Sequence, residues 1–184
     1  HSIILVKELR EKETMDEIEK IAKMITDTLS TELNVKVYIS IGTVVSDLKD
    51  VSRSYKEAKM ALEVGKIFES DKYIVNYEKL GIGRLIYQLP LSLCKMFIKE
   101  VLHGLTMDDF DEETLATVNK FFENNLNVSE TSRQLYIHRN TLVYRLDKLQ
   151  KMTGLDLRNF DDAIIFKITL MVSKYMMYMD KMVY

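Results

Sequence analysis

The sequence predicts an α+β chain, with a small α/β sheet module over residues 1–85 and an all-helical domain over residues 86–184. Three observations predict this division. The first part mixes short apolar runs with helical periodicity, the only proline stands at position 90, and the part after it shows helical periodicity alone. With 184 residues, six glycines and one proline, the chain has room for two small domains but few turns for a barrel or a sandwich.

The first part has the pattern of a βαβαβ unit, a small sheet covered by helices. The apolar run Ile3–Val6 predicts a buried strand, and Thr14 with Glu17 forms a capping box that begins a helix. The alternating residues Val35–Ile41 predict a half-buried strand. A second helix and a strand at Tyr73–Tyr77 are expected to complete the unit.

The second part is expected to consist of helices. Leu91–Leu105 predicts one helix, a second is expected from Asp111 or Glu112 to Glu123, and Asp161–Tyr184 predicts a long Met- and Tyr-rich helix. This last helix is apolar on more than one face, which indicates core packing or a homodimer contact. Charged residues interrupt it, so we do not expect it to span a membrane.

The segment Asn127–Leu149 has the pattern of a helix-turn-helix. Asn127 and Glu130 form a second capping box, which begins a short helix, and a break follows near Ile137. A second helix from about Arg139 turns three leucines inward, Leu142, Leu146 and Leu149.

The opposite face of this second helix carries the polar residues that could contact DNA. Its first turn supplies donors and acceptors for base edges, from His138, Arg139, Asn140 and Thr141. Tyr144 points outward, and phosphate contacts are expected from Arg133, Lys148 and Lys151. Residues 127–158 hold six basic and three acidic side chains, whereas residues 105–126 hold one and six. A solvated surface on two amphipathic helices is the alternative reading of the same pattern.

The run HRNTLVYRL at residues 138–146 resembles the signature of the PucR C-terminal helix-turn-helix domain, which PucR and CdaR (sugar diacid regulator) transcription factors share. The segments YISIG (38–42) and SYKEAKMAL (54–62) resemble the degenerate GGDEF-like domain that precedes it in these regulators. The resemblance implies a helix-turn-helix similar to the Fis type. It also implies a recognition helix that uses His138, Arg139, Asn140, Thr141, Tyr144 and Arg145. The family has arginine where this chain has Val143, so one base contact is missing.

The resemblance further implies a regulator that binds double-stranded DNA. The single cysteine favours a reducing, cytoplasmic location, and the apolar last helix favours a homodimer. The effector of the regulator is expected to be sensed by an upstream domain missing from this sequence, and residues 1–85 are expected to be a GGDEF-like domain truncated at its N-terminus. The alternative is a non-catalytic module that binds a nucleotide or a protein and carries the helical part as a scaffold.

We expect no enzyme, no cofactor and no metal site. The residues for cyclase chemistry would precede Ile3, and the three histidines lack ligand spacing. Cys94 is expected to be a buried small hydrophobe and not a nucleophile.

Overall fold

The computed structural model describes residues 2–10 and 13–182. The chain divides into two compact units, the first ending at Leu85 and the second beginning at Ile86. The first unit combines a small sheet with helices, and every regular element described in the second is helical. The predicted α+β class is therefore confirmed.

In the described residues of the first unit, a two-stranded parallel sheet is combined with helices. The main elements of this unit are α1 (Met15–Leu33), β1 (Ile39–Ile41), α2 (Val51–Phe68) and β2 (Ile74–Asn76). Ile39 lies opposite Ile74, Ser40 opposite Val75 and Ile41 opposite Asn76. Single turns of 3-10 helix cover Leu48–Asp50 and Tyr77–Lys79, and the short helix α3 (Gly83–Ile86) follows. The connection through α2 is the helical crossover that parallel strands require.

Local sequence explains how these elements begin and pack. The predicted capping box is present, because the Thr14 N–H donates to the Glu17 carboxylate at 3.1 Å. Helix α2 lies against β2 at Gly65, where an added Cβ would stand 2.6 Å from Cγ2 of Val75. Any larger residue at this position would push the helix away from the sheet.

Two predicted strands differ from the structure. Ile3–Val6 is exposed and forms no strand, since no described segment pairs with it and a strand needs a neighbour for its backbone hydrogen bonds. The strand predicted over Val35–Ile41 is limited to Ile39–Ile41, because its partner β2 is itself only three residues long. The strand predicted at Tyr73–Tyr77 is confirmed in its centre, Ile74–Asn76.

Up to residue 182, where the described part of the chain ends, the second unit has five longer helices. They are α4 (Leu91–Val101), α5 (Glu112–Glu123), α6 (Val128–Gln134), α7 (Arg139–Thr153) and α8 (Phe160–Met182), with a 3-10 turn at Met107–Asp109. Helix α4 ends before its predicted limit, Leu105, because His103 and Gly104 have φ angles of 50° and 94°, which no α-helix continues. Residues 183 and 184 of the predicted last helix lie outside the described residues.

The core of this unit joins α5 and α7 to the first half of α8. The rings of Phe110 and Phe166 meet edge to face, with their centroids 6.0 Å apart. The buried apolar residues of this core are Leu102, Phe110, Val118, Phe121, Leu142, Leu146, Leu149, Leu157 and Phe166. Cys94 is buried as expected, and this burial raises the pKa of its thiol, which disfavours the reactive thiolate.

Candidate nucleic-acid interface

The short helix α6 is joined to the longer helix α7 by a tight turn, as the sequence predicts. Asn127 caps α6, because its side-chain oxygen accepts the Glu130 N–H at 3.0 Å. The reciprocal half of the predicted capping box is wrong. The Glu130 carboxylate instead accepts hydrogen bonds from Arg133 and Gln134 one turn later, where their long side chains reach it easily.

The turn between the two helices is a Schellman motif. The Tyr136 N–H donates to the Arg133 carbonyl at 3.2 Å, and the Ile137 N–H donates to the Ser132 carbonyl at 3.0 Å. Tyr136 has a φ of 54°, in the left-handed region. Ile137 packs against the core and fixes where α7 begins.

The inward face of α7 is apolar, and its first turn is capped by a side chain. The three leucines predicted to point inward are buried, which confirms the helical register. His138 stands at the N-cap, where its Nδ1 accepts the Asn140 N–H at 3.2 Å. This acceptor role leaves Nε2 of His138 available for an outside partner.

The first turn of α7 presents polar side chains to solvent. Arg139, Asn140 and Thr141 are exposed, and their side chains have no hydrogen-bond or ion-pair partner within residues 2–10 and 13–182. Backbone N–H groups and the positive end of the helix dipole face the same way. The first turn of α7 therefore has hydrogen-bond donors and acceptors that are free to contact a ligand, and its positive dipole end favours an anionic one.

Farther along α7, an aromatic residue and two lysines border a shallow groove. Tyr144 is 69% exposed, the second highest value among the described tyrosines. Tyr144, Asp147, Lys148, Lys151 and Met152 line the groove, which has a volume of about 280 Å³. Lys151 is exposed and has no acidic partner among the described residues.

Arg145 faces helix α5 instead of solvent. Its side chain is 16% exposed, donates to Thr117 Oγ1 at 2.9 Å and forms an ion pair with Glu113. Lys148, one turn later, forms an ion pair with Asp111 at 2.9 Å. The hydrogen bond between them lowers the pKa of the Asp111 carboxyl and raises the pKa of the Lys148 ammonium, because it favours the charged form of each group. Two of the predicted DNA-binding side chains thus tie α7 to the start of α5.

Two other charged residues, Arg133 of the predicted surface and Asp147 of α7, are also paired. Arg133 lies 2.6 Å from Glu130 on the same helix, and this hydrogen bond raises the pKa of Arg133. Asp147, whose charge would repel a phosphate, lies 2.9 Å from Arg158. Arg158 also pairs with Asp156 at 2.7 Å, so the two aspartates share one guanidinium. The sequence did not predict the pair with Asp147, since no spacing rule relates residue 147 to residue 158.

Tyr136, the exposed residue of the turn with a positive φ, has no role in the sequence prediction. Its only sequence signal is its position, a large residue at the break between two helices where glycine is common.

The described chain gives no sign of a metal centre. No group of three His, Cys, Asp or Glu side chains within residues 2–10 and 13–182 is arranged to hold an ion. None of the helices in these ranges is long and apolar enough to cross a membrane.

Two families match this chain. Residues 114–172 match the PucR C-terminal helix-turn-helix domain, which includes α6 and α7, and residues 1–64 match the GGDEF-like domain. The chain is therefore similar to the PucR/CdaR family of regulators in both of these segments. The resemblance carried by residues 138–146 is confirmed, and so is the weaker one in the first part.

Curated PucR/CdaR relatives show the same similarity. The chain is 31% identical over 136 residues to the carbohydrate diacid regulator of Escherichia coli, covering 74% of this chain and 35% of that protein. It is 28% identical over 147 residues to the purine catabolism regulatory protein of Bacillus subtilis, covering 79% and 28%. It is 28% identical over 162 residues to the proline-responsive transcriptional activator PutR of Bacillus subtilis, covering 85% and 39%. The chain spans about a third of the length of these relatives.

Proposed function

We propose that this chain is the sequence-specific DNA-binding part of a cytoplasmic transcriptional regulator and that it acts without catalysis or cofactor. The observation that carries the proposal is the first turn of α7, the second helix of the helix-turn-helix, where the side chains of Arg139, Asn140 and Thr141 are exposed and have no partner among the described residues. Side chains of these types match the edges of guanine and adenine in the major groove. The similarity to PucR/CdaR regulators supports the same function.

The position and contacts of each side chain indicate whether it contacts bases, contacts phosphates or orients α7. The N-terminal turn of α7 enters the groove and contacts base edges. The contacts come from Arg139, Asn140 and Thr141 and from Nε2 of His138. The exposed side chains farther from this turn contact phosphates and fix the register, namely Arg133, Tyr144, Lys148 and Lys151. Arg145 orients α7 from within, because its guanidinium is held between Thr117 and Glu113.

The two units take different parts in this proposal. Residues 86–184 form the DNA-binding domain, and residues 1–85 form a degenerate GGDEF-like domain without cyclase activity. The described residues of this first unit include no group of three His, Cys, Asp or Glu side chains arranged to hold a metal ion. The effector acts on a part of the regulator outside this chain.

We further propose that the chain binds DNA as a homodimer. The first half of α8 exposes the apolar side chains Phe160, Ile164 and Ile165, which a second copy could cover. A symmetric dimer would present two copies of α7 to half-sites about one helical turn apart.

Selection of duplexes from a random library by the purified chain tests the proposal. We expect enrichment of one sequence with two half-sites, and weaker recovery at higher salt because phosphate contacts release counterions. The Arg139→Ala/Asn140→Ala double variant should lose this enrichment. The cost should be about 1–3 kcal/mol for each base contact removed.

A matched control separates loss of base contacts from loss of charge. Lys95→Ala removes one exposed positive charge from α4, away from α7, and should leave the selected sequence unchanged. Enrichment of the same sequence by the double variant would show that the first turn of α7 does not read DNA. A folded parent chain that enriches nothing would favour the interaction-module alternative.

A further inference from the structure

Tyr136 adopts a backbone conformation that tyrosine does not favour. Its φ of 54° lies in the left-handed region, at the position of the Schellman motif that glycine most often occupies. Glycine adopts this conformation without steric conflict, whereas a Cβ is crowded against the backbone there. Replacing this side chain with glycine would therefore relieve strain in the turn.

The side chain of Tyr136 makes no contact in the described chain that would stabilise the fold. It is 97% exposed, the highest value among the described tyrosines. Within residues 2–10 and 13–182 it makes no hydrogen bond or ring contact. Ile137 and the two backbone hydrogen bonds of the turn hold the connection without it. Backbone strain at a side chain that stabilises nothing internally is a feature of functional sites.

The position of Tyr136 relates it to the DNA of the proposed function. In a helix-turn-helix the first helix crosses the sugar-phosphate backbone and the second enters the major groove by its N-terminus. The turn that joins them therefore passes the rim of the groove, where the phosphates lie. Tyr136 stands three residues before Arg139, which begins α7. A phenol is one of the side chains that donate hydrogen bonds to phosphate oxygens.

We propose that the Tyr136 hydroxyl donates a hydrogen bond to a DNA backbone phosphate at the rim of the groove that α7 enters. This assignment rests on the proposed function. It predicts a contact that strengthens binding to every duplex equally, because the phosphate is the same in every sequence. It also explains why a strained tyrosine occupies the turn.

Two substitutions separate binding from stability. Tyr136→Phe removes only the hydroxyl and leaves the strain, so the melting temperature should stay unchanged while affinity falls about tenfold, as for a lost hydrogen bond to a charged group. Tyr136→Gly should lose affinity to the same extent and gain roughly 2–4 °C in melting temperature from the relieved strain. Each variant is titrated against the duplex recovered by the parent chain and against a scrambled duplex of equal length.

The ratio of the two affinities decides the assignment. A phosphate contact requires equal losses on the selected and the scrambled duplex, so that the ratio stays at the value of the parent. Tyr136→Phe binding both duplexes as tightly as the parent would overturn the assignment, and so would a loss confined to the selected duplex. Failure of the proposed function is a different result, since the parent itself would then prefer neither duplex.

Discussion

At the scale of single residues, the ion pair of Lys148 with Asp111 shows how charge is arranged within the proposed DNA-binding face. Asp111 caps α5 and accepts the Thr114 N–H at 2.6 Å, while Lys148 reaches it from α7 at 2.9 Å. Both contacts favour the ionised carboxylate and lower its pKa from the ordinary value of 3.8, the lysine more than the backbone. The contribution of ionised Asp111 to the stability of the fold is fully present above pH 3.8, and it is lost as the pH falls towards the lowered pKa.

We predict that Lys148→Gln raises the pKa of Asp111 towards 3.8 without reaching it, because the bonds to Thr114 remain. An NMR titration of the Asp111 carboxyl carbon measures this shift. Lys151→Gln is the matched control, a lysine three residues away on the same helix with no acidic partner among the described residues, and it should leave the titration unchanged. An Asp111 titration that is identical in Lys148→Gln and in the parent would refute the pairing.

At the scale of elements, the end of α7 depends on one backbone conformation. Gly154 has a φ of 78°, and an added Cβ would meet no atom within 4 Å, so the conformation alone limits the choice of residue. We predict that Gly154→Ala lowers the free energy of unfolding by about 1–2 kcal/mol, since a Cβ disfavours the left-handed region. Gly154→Asn should lose less, because asparagine tolerates this region better. Urea unfolding measures both, and equal stability of all three chains would contradict the prediction.

Helical elements followed from local sequence more closely than strands did. The three leucines of α7 and the caps at Thr14 and Asn127 depend on residues within a few positions of each other, so periodicity and capping rules found them. Ile3–Val6 looked like a strand, but a strand is decided by its partner, and an apolar run does not contain that information.

The same limit applies to the candidate site. The first turn of α7 could be predicted because its residues are consecutive and simply point outward. Arg145 could not be separated from its neighbours, because its partners Glu113 and Thr117 are about thirty residues away in sequence. The strain at Tyr136 was equally hidden, since a φ angle depends on the turn that the flanking helices enforce.

At the scale of the whole molecule, the apolar start of α8 predicts self-association. We expect light scattering to give the mass of a dimer for the parent and of a monomer for Ile164→Lys, which places a charge on the exposed apolar surface. Met177→Lys makes the same change at an exposed residue farther along α8 and should leave the dimer intact. A dimeric Ile164→Lys chain would rule out this surface as the dimer contact.

We propose that the first turn of α7 reads DNA sequence, and a paired titration of two duplexes tests this claim. The parent chain and the Arg139→Ala/Asn140→Ala variant are titrated against the selected duplex and a scrambled duplex at the same salt concentration. We predict that the variant loses at least tenfold in its preference for the selected duplex, because each good base contact is worth about 1–3 kcal/mol of discrimination. Its affinity for the scrambled duplex should fall much less, because Lys151, Tyr144 and the other proposed phosphate contacts remain. An unchanged preference in the variant would contradict the claim.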